Sequence, residues 1–141
     1  MKNYFKHSIT LLTILSFLLM IIGSSDDNAA IENEISDQTP SIEVSAKKLY
    51  ADYDANGVSA DMKYKGKVLS VTGKINNIDK DFMDEIYVSL KGDEYFGDIQ
   101  CYFAESHIQE AANLSKGQTI TVKGVCDGQM MNVLLKGCVI D

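Results

Sequence analysis

The chain has 141 residues, 45% of them hydrophobic, with one proline and no tryptophan. That composition excludes a disordered chain and, once the head of the sequence is set aside, leaves room for one domain with a modest core. The formal charge is −7 and all 13 basic residues are lysines. No guanidinium is therefore present to fork onto phosphate or carboxylate, and a polyanion is repelled at long range, which disfavours nucleic acid as a partner.

Lys2 and Lys6 precede a mainly apolar run from Ile9 to Ile22, followed by Gly23, Ser24, Ser25 and the acidic Asp26 and Asp27. A charged start, a short apolar middle and a small-residue exit predict a secretory signal over residues 1–25, with cleavage after Ser25 or Ala30. The alternative is a short uncleaved membrane anchor, although a helix of that run spans only ~21 Å at ~1.5 Å per residue, against a hydrocarbon core of ~30 Å. Either reading places the remainder outside the cytoplasm: periplasmic, secreted, or held at the membrane through this segment alone. Residues 26–43 are polar and acidic, carry Pro40 and show no sustained apolar periodicity, which predicts a flexible acidic linker. The folded domain is expected over residues 44–141.

Ser45 has the chemistry of a helix N-cap for Ala46 to about Ala55, with Val44 and Leu49 placed as a hydrophobic staple. Gly57 is expected to end that helix, and Ser59 to cap a short second turn. The stretch KGKVLSVTGKINNI, Lys65 to Ile78, alternates Leu69, Val71 and Ile75 with polar residues, and Gly73 suits a bulge or sharp coil within it. A long strand bent at a glycine can pair with two sheets at once. Two further alternating runs follow, Asp84 to Gly92 and Gly97 to Phe103. Ala104 to Leu114 carries alanines and Ile108 at helical spacing. A second glycine-bearing strand, Thr119 to Cys126 with Gly124, leads through the Asp127-Gly128 turn signal to a last strand, Asn132 to Ile140. Three strands, a helix and two strands are the order of the five-stranded Greek-key OB-fold barrel, here preceded by an N-terminal helix, so the class is all-β with short helices.

On these residues the sequence resembles the tRNA_anti-like OB-fold family, small exported bacterial proteins that are often lipoprotein-like. The likeness is carried by Leu49, Tyr53, Asn56 and Ala60, then YKGKVLSVTGKI, IQCYF, GQTITVKGVCDG and the final LLKGC. It covers about residues 45–141. The sequence departs from the lipoprotein pattern at Ser24, which stands where a lipidated cysteine would be. The family name marks likeness to the anticodon-binding domain of tRNA synthetases.

No constellation of catalytic residues stands out, and no cofactor is implied. Asp52 to Gly57 matches the first half of a calcium loop, but Lys63 stands where the bidentate glutamate belongs, so no metal site is expected there. Asp79, Asp81, Asp84 and Glu85 crowd the first hairpin loop and read as a solvated edge that resists strand pairing. His107 has no matching nucleophile or second histidine. Cys101, Cys126 and Cys138 lack metal spacing. Cys101 and Cys138 lie late in strands expected to be parallel neighbours, making them the favoured disulfide pair if the three are not all buried thiols.

OB-folds bind on the face of their second and third strands. Opposite the core parity there stand Tyr87, Ser89, Gln100 and Tyr102, with Tyr95 and Phe96 at the connecting turn. Tyr87, Gln100, Tyr102, Tyr95 and Phe96 are thus the expected ligand-binding residues, a stacking platform for an envelope protein or glycan. The expected function is a non-enzymatic binding module, with single-stranded nucleic-acid binding as the alternative.

Overall fold

The computed structural model describes Ile35 and residues 37–141. The expectations for residues 1–25, and for the linker as far as residue 34, lie outside the described residues. The elements are β1 (Ile42–Ser45), α1 (Ala46–Ala55), α2 (Gly57–Tyr64), β2 (Val68–Lys80), β3 (Ile86–Lys91), β4 (Asp98–Phe103), a 3-10 turn (Glu105–His107), α3 (Ile108–Ala112), β5 (Thr119–Gln129) and β6 (Val133–Ile140).

β2 is the hub. Its first half, Val68 to Lys74, pairs antiparallel with β5, and its second half, from Ile75, pairs antiparallel with β3. β4 joins β3 antiparallel and β6 parallel, and β6 returns to β5, so β2 to β6 close into a five-stranded barrel. This is the OB-fold. Strand alternation supplies the core: Leu69, Val71, Ile75, Val88, Leu90, Ile99, Cys101, Val122, Val133, Leu135 and Cys138 are all buried. Each large aliphatic among them contributes up to about 1.5–3 kcal/mol by leaving water.

The structure adds a strand that sequence reasoning did not place. Ile42 to Ser45, partly inside the expected linker, lies parallel on β2 with Ile42 opposite Leu69 and Ser45 opposite Thr72. Upstream, Ile35 is also buried, its Cδ1 against Gly137 of β6. The described chain before residue 44 therefore touches the barrel at two places, Ile35 and residues 41–43, with Asp37, Gln38 and Thr39 exposed between them.

The cap at α1 forms as expected, with Ser45 Oγ accepting from Lys48 N at 3.2 Å, while Leu49 lies in the core cluster and Val44 packs against it. The next boundary differs. Asn56, not Gly57, ends α1, and its Oδ1 accepts from Ser59 N at 3.0 Å to cap α2, so Gly57 is the first residue of the second helix. Asn56 thus serves both helix ends, its backbone N–H donating to Asp52 O and its side chain capping α2, which is why the helices follow each other without a loop. Leu49 and Tyr53 of α1 and Ala60 and Tyr64 of α2 enter the core.

Gly73 has a different role from the one expected. It does not use the left-handed backbone region, and the irregularity of β2 lies further on, between Ile75 and Asn77. What requires glycine is proximity: a Cβ at residue 73 would stand 2.7 Å from Ala46 Cβ and 3.0 Å from Leu90 Cβ. Gly124 does sit at an irregularity, between Lys123 and Val125 in the pairing with β6, and a Cβ there would meet Cys138 Sγ at 2.7 Å. Asp127-Gly128 is not a turn. It is a second bulge that lets β5 continue to Gln129, with Gly128 at φ 90°.

Candidate binding face

On β3 and β4 the outward residues are Tyr87, Ser89, Gln100 and Tyr102, and the register sets Tyr87 opposite Tyr102 and Ser89 opposite Gln100. The two tyrosine rings lie 5.9 Å apart at 53°, within the range of a tilted aromatic pair. Ser89 is buried beneath this face, whereas the others are partly exposed.

The polar groups of the face form one row. Asn76 Nδ2 donates to Asp98 Oδ2 at 2.8 Å, and Asp98 N donates to Asn132 Oδ1 at 3.1 Å. Asn132 Nδ2 donates to Gln100 Oε1 at 3.3 Å, and Gln100 Nε2 donates to the Tyr102 hydroxyl at 3.1 Å. The Asp81 carboxylate acts on the Tyr102 phenol from the far side. Burial, and next the Asp81 carboxylate, push the Tyr102 phenol above its ordinary range, so it stays a neutral donor. Asn76 and Asn132 come from β2 and the β5–β6 loop, outside the second and third barrel strands, and alternation within a strand gives no sign of them.

A cleft opens at each end of this row. One, of about 720 Å3, has Tyr102, Leu134 and Lys136 between the acidic β2–β3 loop and the Glu105–Ile108 turn. The other, of about 490 Å3, is lined by Tyr50, Tyr95, Phe96, Met131 and Asn132. The expected platform is thus divided: Tyr87 and Tyr102 belong to the first end, Tyr95 and Phe96 to the second. Four residues of strand separate them, roughly 13 Å at ~3.3 Å each.

The β3–β4 turn is fixed from below. A Cβ at Gly97 would penetrate the Tyr50 ring, 2.0 Å from Cε2, and one at Gly92 would lie 2.7 Å from Tyr50 Cβ. Gly97 has φ 104°, and both Gly92 N and Asp93 N donate to its carbonyl. Glycine at both places lets the turn lie flat on the ring of α1, which leaves Tyr95 and Phe96 pointing out, 84% and 83% exposed.

The charges around the face are mostly negative and the nearby lysines are engaged. Lys91 is 3.2 Å from Glu94, Lys136 is 2.7 Å from Asp127, and Lys80 is 3.9 Å from Asp84.

The remaining candidates resolve as follows. Asp52 accepts from Lys48 Nζ, from Lys63 Nζ at 3.2 Å and from the Tyr64 hydroxyl at 2.6 Å. Its carboxylate serves as a joint between α1 and α2. Asp81 closes the acidic hairpin on itself, Oδ1 accepting from Met83 N at 2.8 Å and Glu85 N at 3.0 Å. His107 Nδ1 lies 3.1 Å from Glu110. All three cysteines are buried thiols. Cys126 Sγ is 3.4 Å from the Tyr53 hydroxyl. The register sets Phe103 opposite Cys138 and Cys101 opposite Leu135, so Cys101 and Cys138 are diagonal neighbours, present as free thiols, which is the alternative of three buried cysteines and not the favoured disulfide.

The family model described as tRNA_anti-like matches residues 1–139. The chain belongs to the tRNA_anti-like family. Among solved structures it is similar to a protein from Klebsiella pneumoniae described as a candidate nucleic acid-binding lipoprotein, with a TM-score of 0.57 and 17% identity over 84% of this chain and 99% of that one. That likeness shows the shared OB-fold. A second similar structure is an OBody bound to hen egg-white lysozyme, with a TM-score of 0.43 and 14% identity over 55% of this chain and 84% of that one. No curated protein sequence matches the chain.

Proposed function

We propose that this chain is a non-catalytic OB-fold binding module working outside the cytoplasm, and that its β3–β4 face recognises a protein or carbohydrate partner of the cell envelope. The observation that carries this reading is the row from Asn76 to Tyr102, in which amides, a carboxylate and a phenol alternate beside the Tyr87–Tyr102 pair. Side-chain amides and tilted tyrosines offer donors, acceptors and apolar ring faces together, which suits a peptide backbone or a sugar ring. Replacing Tyr87 and Tyr102 together by alanine is expected to abolish co-purification with an envelope partner identified with the wild-type chain. Unchanged recovery of that partner would sink the reading.

A second reading, single-stranded nucleic-acid binding, is favoured by the name of the family and by the description of the Klebsiella protein. Two tyrosines could stack bases. The acidic chain and the carboxylate-paired Lys91 and Lys136 weigh against it, because phosphate binding draws on unengaged cations. A mobility-shift titration in low salt separates the two: a shift at micromolar protein supports the nucleic-acid reading, and its absence removes it.

A further inference from the structure

Exposed apolar pairs stand at both ends of the barrel: Phe82-Met83 on the β2–β3 loop at one, and two pairs on neighbouring loops at the other. β4 and β6 are parallel with Ile99 opposite Val133, so the loops leading into them, β3–β4 and β5–β6, emerge side by side. The first presents Tyr95 and Phe96, and the second presents Met130 and Met131, 85% and 89% exposed. Between them lies the 490 Å3 cleft floored by Tyr50. Soluble surfaces seldom carry such large apolar side chains in adjacent pairs on neighbouring loops without a partner for them. The β3–β4 loop is also held flat on Tyr50 through Gly92 and Gly97, so the aromatic pair is presented in a set geometry and little ordering remains to be done on binding.

Charge selects the occupant. The charged residues lining the cleft are Asp93, Glu94 and Asp98 against Lys91. Glu94 is attended by Lys91 at 3.2 Å and Lys47 at 3.8 Å. Asp93 has no ion pair among the described residues; burial first, then Asp54 and Asp93, push the Tyr50 phenol above its ordinary range. The rim is therefore apolar at its tip and negative around its base. That disfavours an anionic lipid surface or a polynucleotide and fits a cationic chain bearing apolar side chains. Methionine adapts its shape to such partners, while aromatic residues anchor them.

We propose that the Tyr95–Phe96–Met131 cleft docks a lysine- or arginine-bearing, apolar segment of a partner protein. This rests on the reading of the chain as a binding module, but not on Tyr87 and Tyr102. The test is a calorimetric titration of the full chain with a capped peptide of alternating lysine and leucine, and with the glutamate–leucine peptide as control. The lysine peptide is expected to bind and the glutamate peptide not to. Tyr95→Ser with Phe96→Ser, and separately Asp93→Lys, are expected to weaken binding about tenfold or more, and added salt to weaken it further. Tyr87→Ala with Tyr102→Ala should leave it intact. If that last pair abolishes binding while the tip variants do not, the module reading stands and the tip proposal falls. The proposal is also overturned by equal binding to all variants. Two other occupants of the tip would overturn it as well: a concentration-dependent dimer lost in Tyr95→Ser with Phe96→Ser, or adhesion to neutral phosphatidylcholine vesicles lost in the same variant.

Discussion

Asp52 shows how one side chain can look like one chemistry and perform another. In the sequence it opens a run of oxygen-bearing residues spaced as in a calcium loop, yet in the structure two ammonium groups and a phenol occupy its carboxylate. The hydrogen bond from Lys48, then that from Tyr64, hold its carboxyl well below the usual range. A folded value below the unfolded one of about 3.9 means that the contribution is complete above about pH 4 and is lost as pH falls toward the folded value. Asp52→Asn is therefore expected to cost about 1 kcal/mol at pH 7, since the ion pairs are largely exposed. The cost should shrink steadily as pH falls below about 4, as read from urea unfolding of both proteins across that range.

Three elements meet where α1 starts. Ala46 lies against Gly73 in the middle of β2, and Leu90 of β3 closes on the same spot, so the helix, the hub strand and its neighbour share one contact. Gly73→Val is expected to destabilise the fold by about 1–3 kcal/mol through overpacking. A lowered urea midpoint, with the β3–β4 face still binding in native buffer, would show that the effect is one of packing. The position of this glycine was legible in the sequence, but its reason was not. A glycine inside an alternating run signals either a bulge or a close approach, and only the three-dimensional neighbour Ala46 decides which. Strand order, the Ser45 cap and the inward residues were legible because each rests on local periodicity or local hydrogen bonding. β1 was not, because four residues with two apolar side chains give no period to read. The binding row was half legible: Gln100 and Tyr102 follow from alternation on β4, whereas Asn76 and Asn132 arrive from a bulge and a loop.

For the whole molecule, closure is the decisive event. β2 pairs with β5 across more than 40 residues of intervening chain, from Lys74 opposite Thr119 to Val68 opposite Val125, a topology that pays for its loops before its contacts form. The closed wall holds Cys101, Cys126 and Cys138 entirely inside, and burial pushes the Cys138 thiol well up, with Cys101 beside it adding to the shift. None of the three is expected to react with an alkylating reagent at pH 8 until the barrel opens. All three should label together across the urea transition, as counted by mass spectrometry. Labelling of one thiol well before the others would mean that part of the wall opens alone. β1 adds a mechanical property to this closed body. It runs parallel to β2, so tension drawn from its N-terminal end along its own axis loads the bridges from Ile42–Leu69 to Ser45–Thr72 together, in shear. A hairpin pulled apart at its open ends yields bridge by bridge. Four residues laid in this direction resist a pull on the chain just before Ile42 as one set.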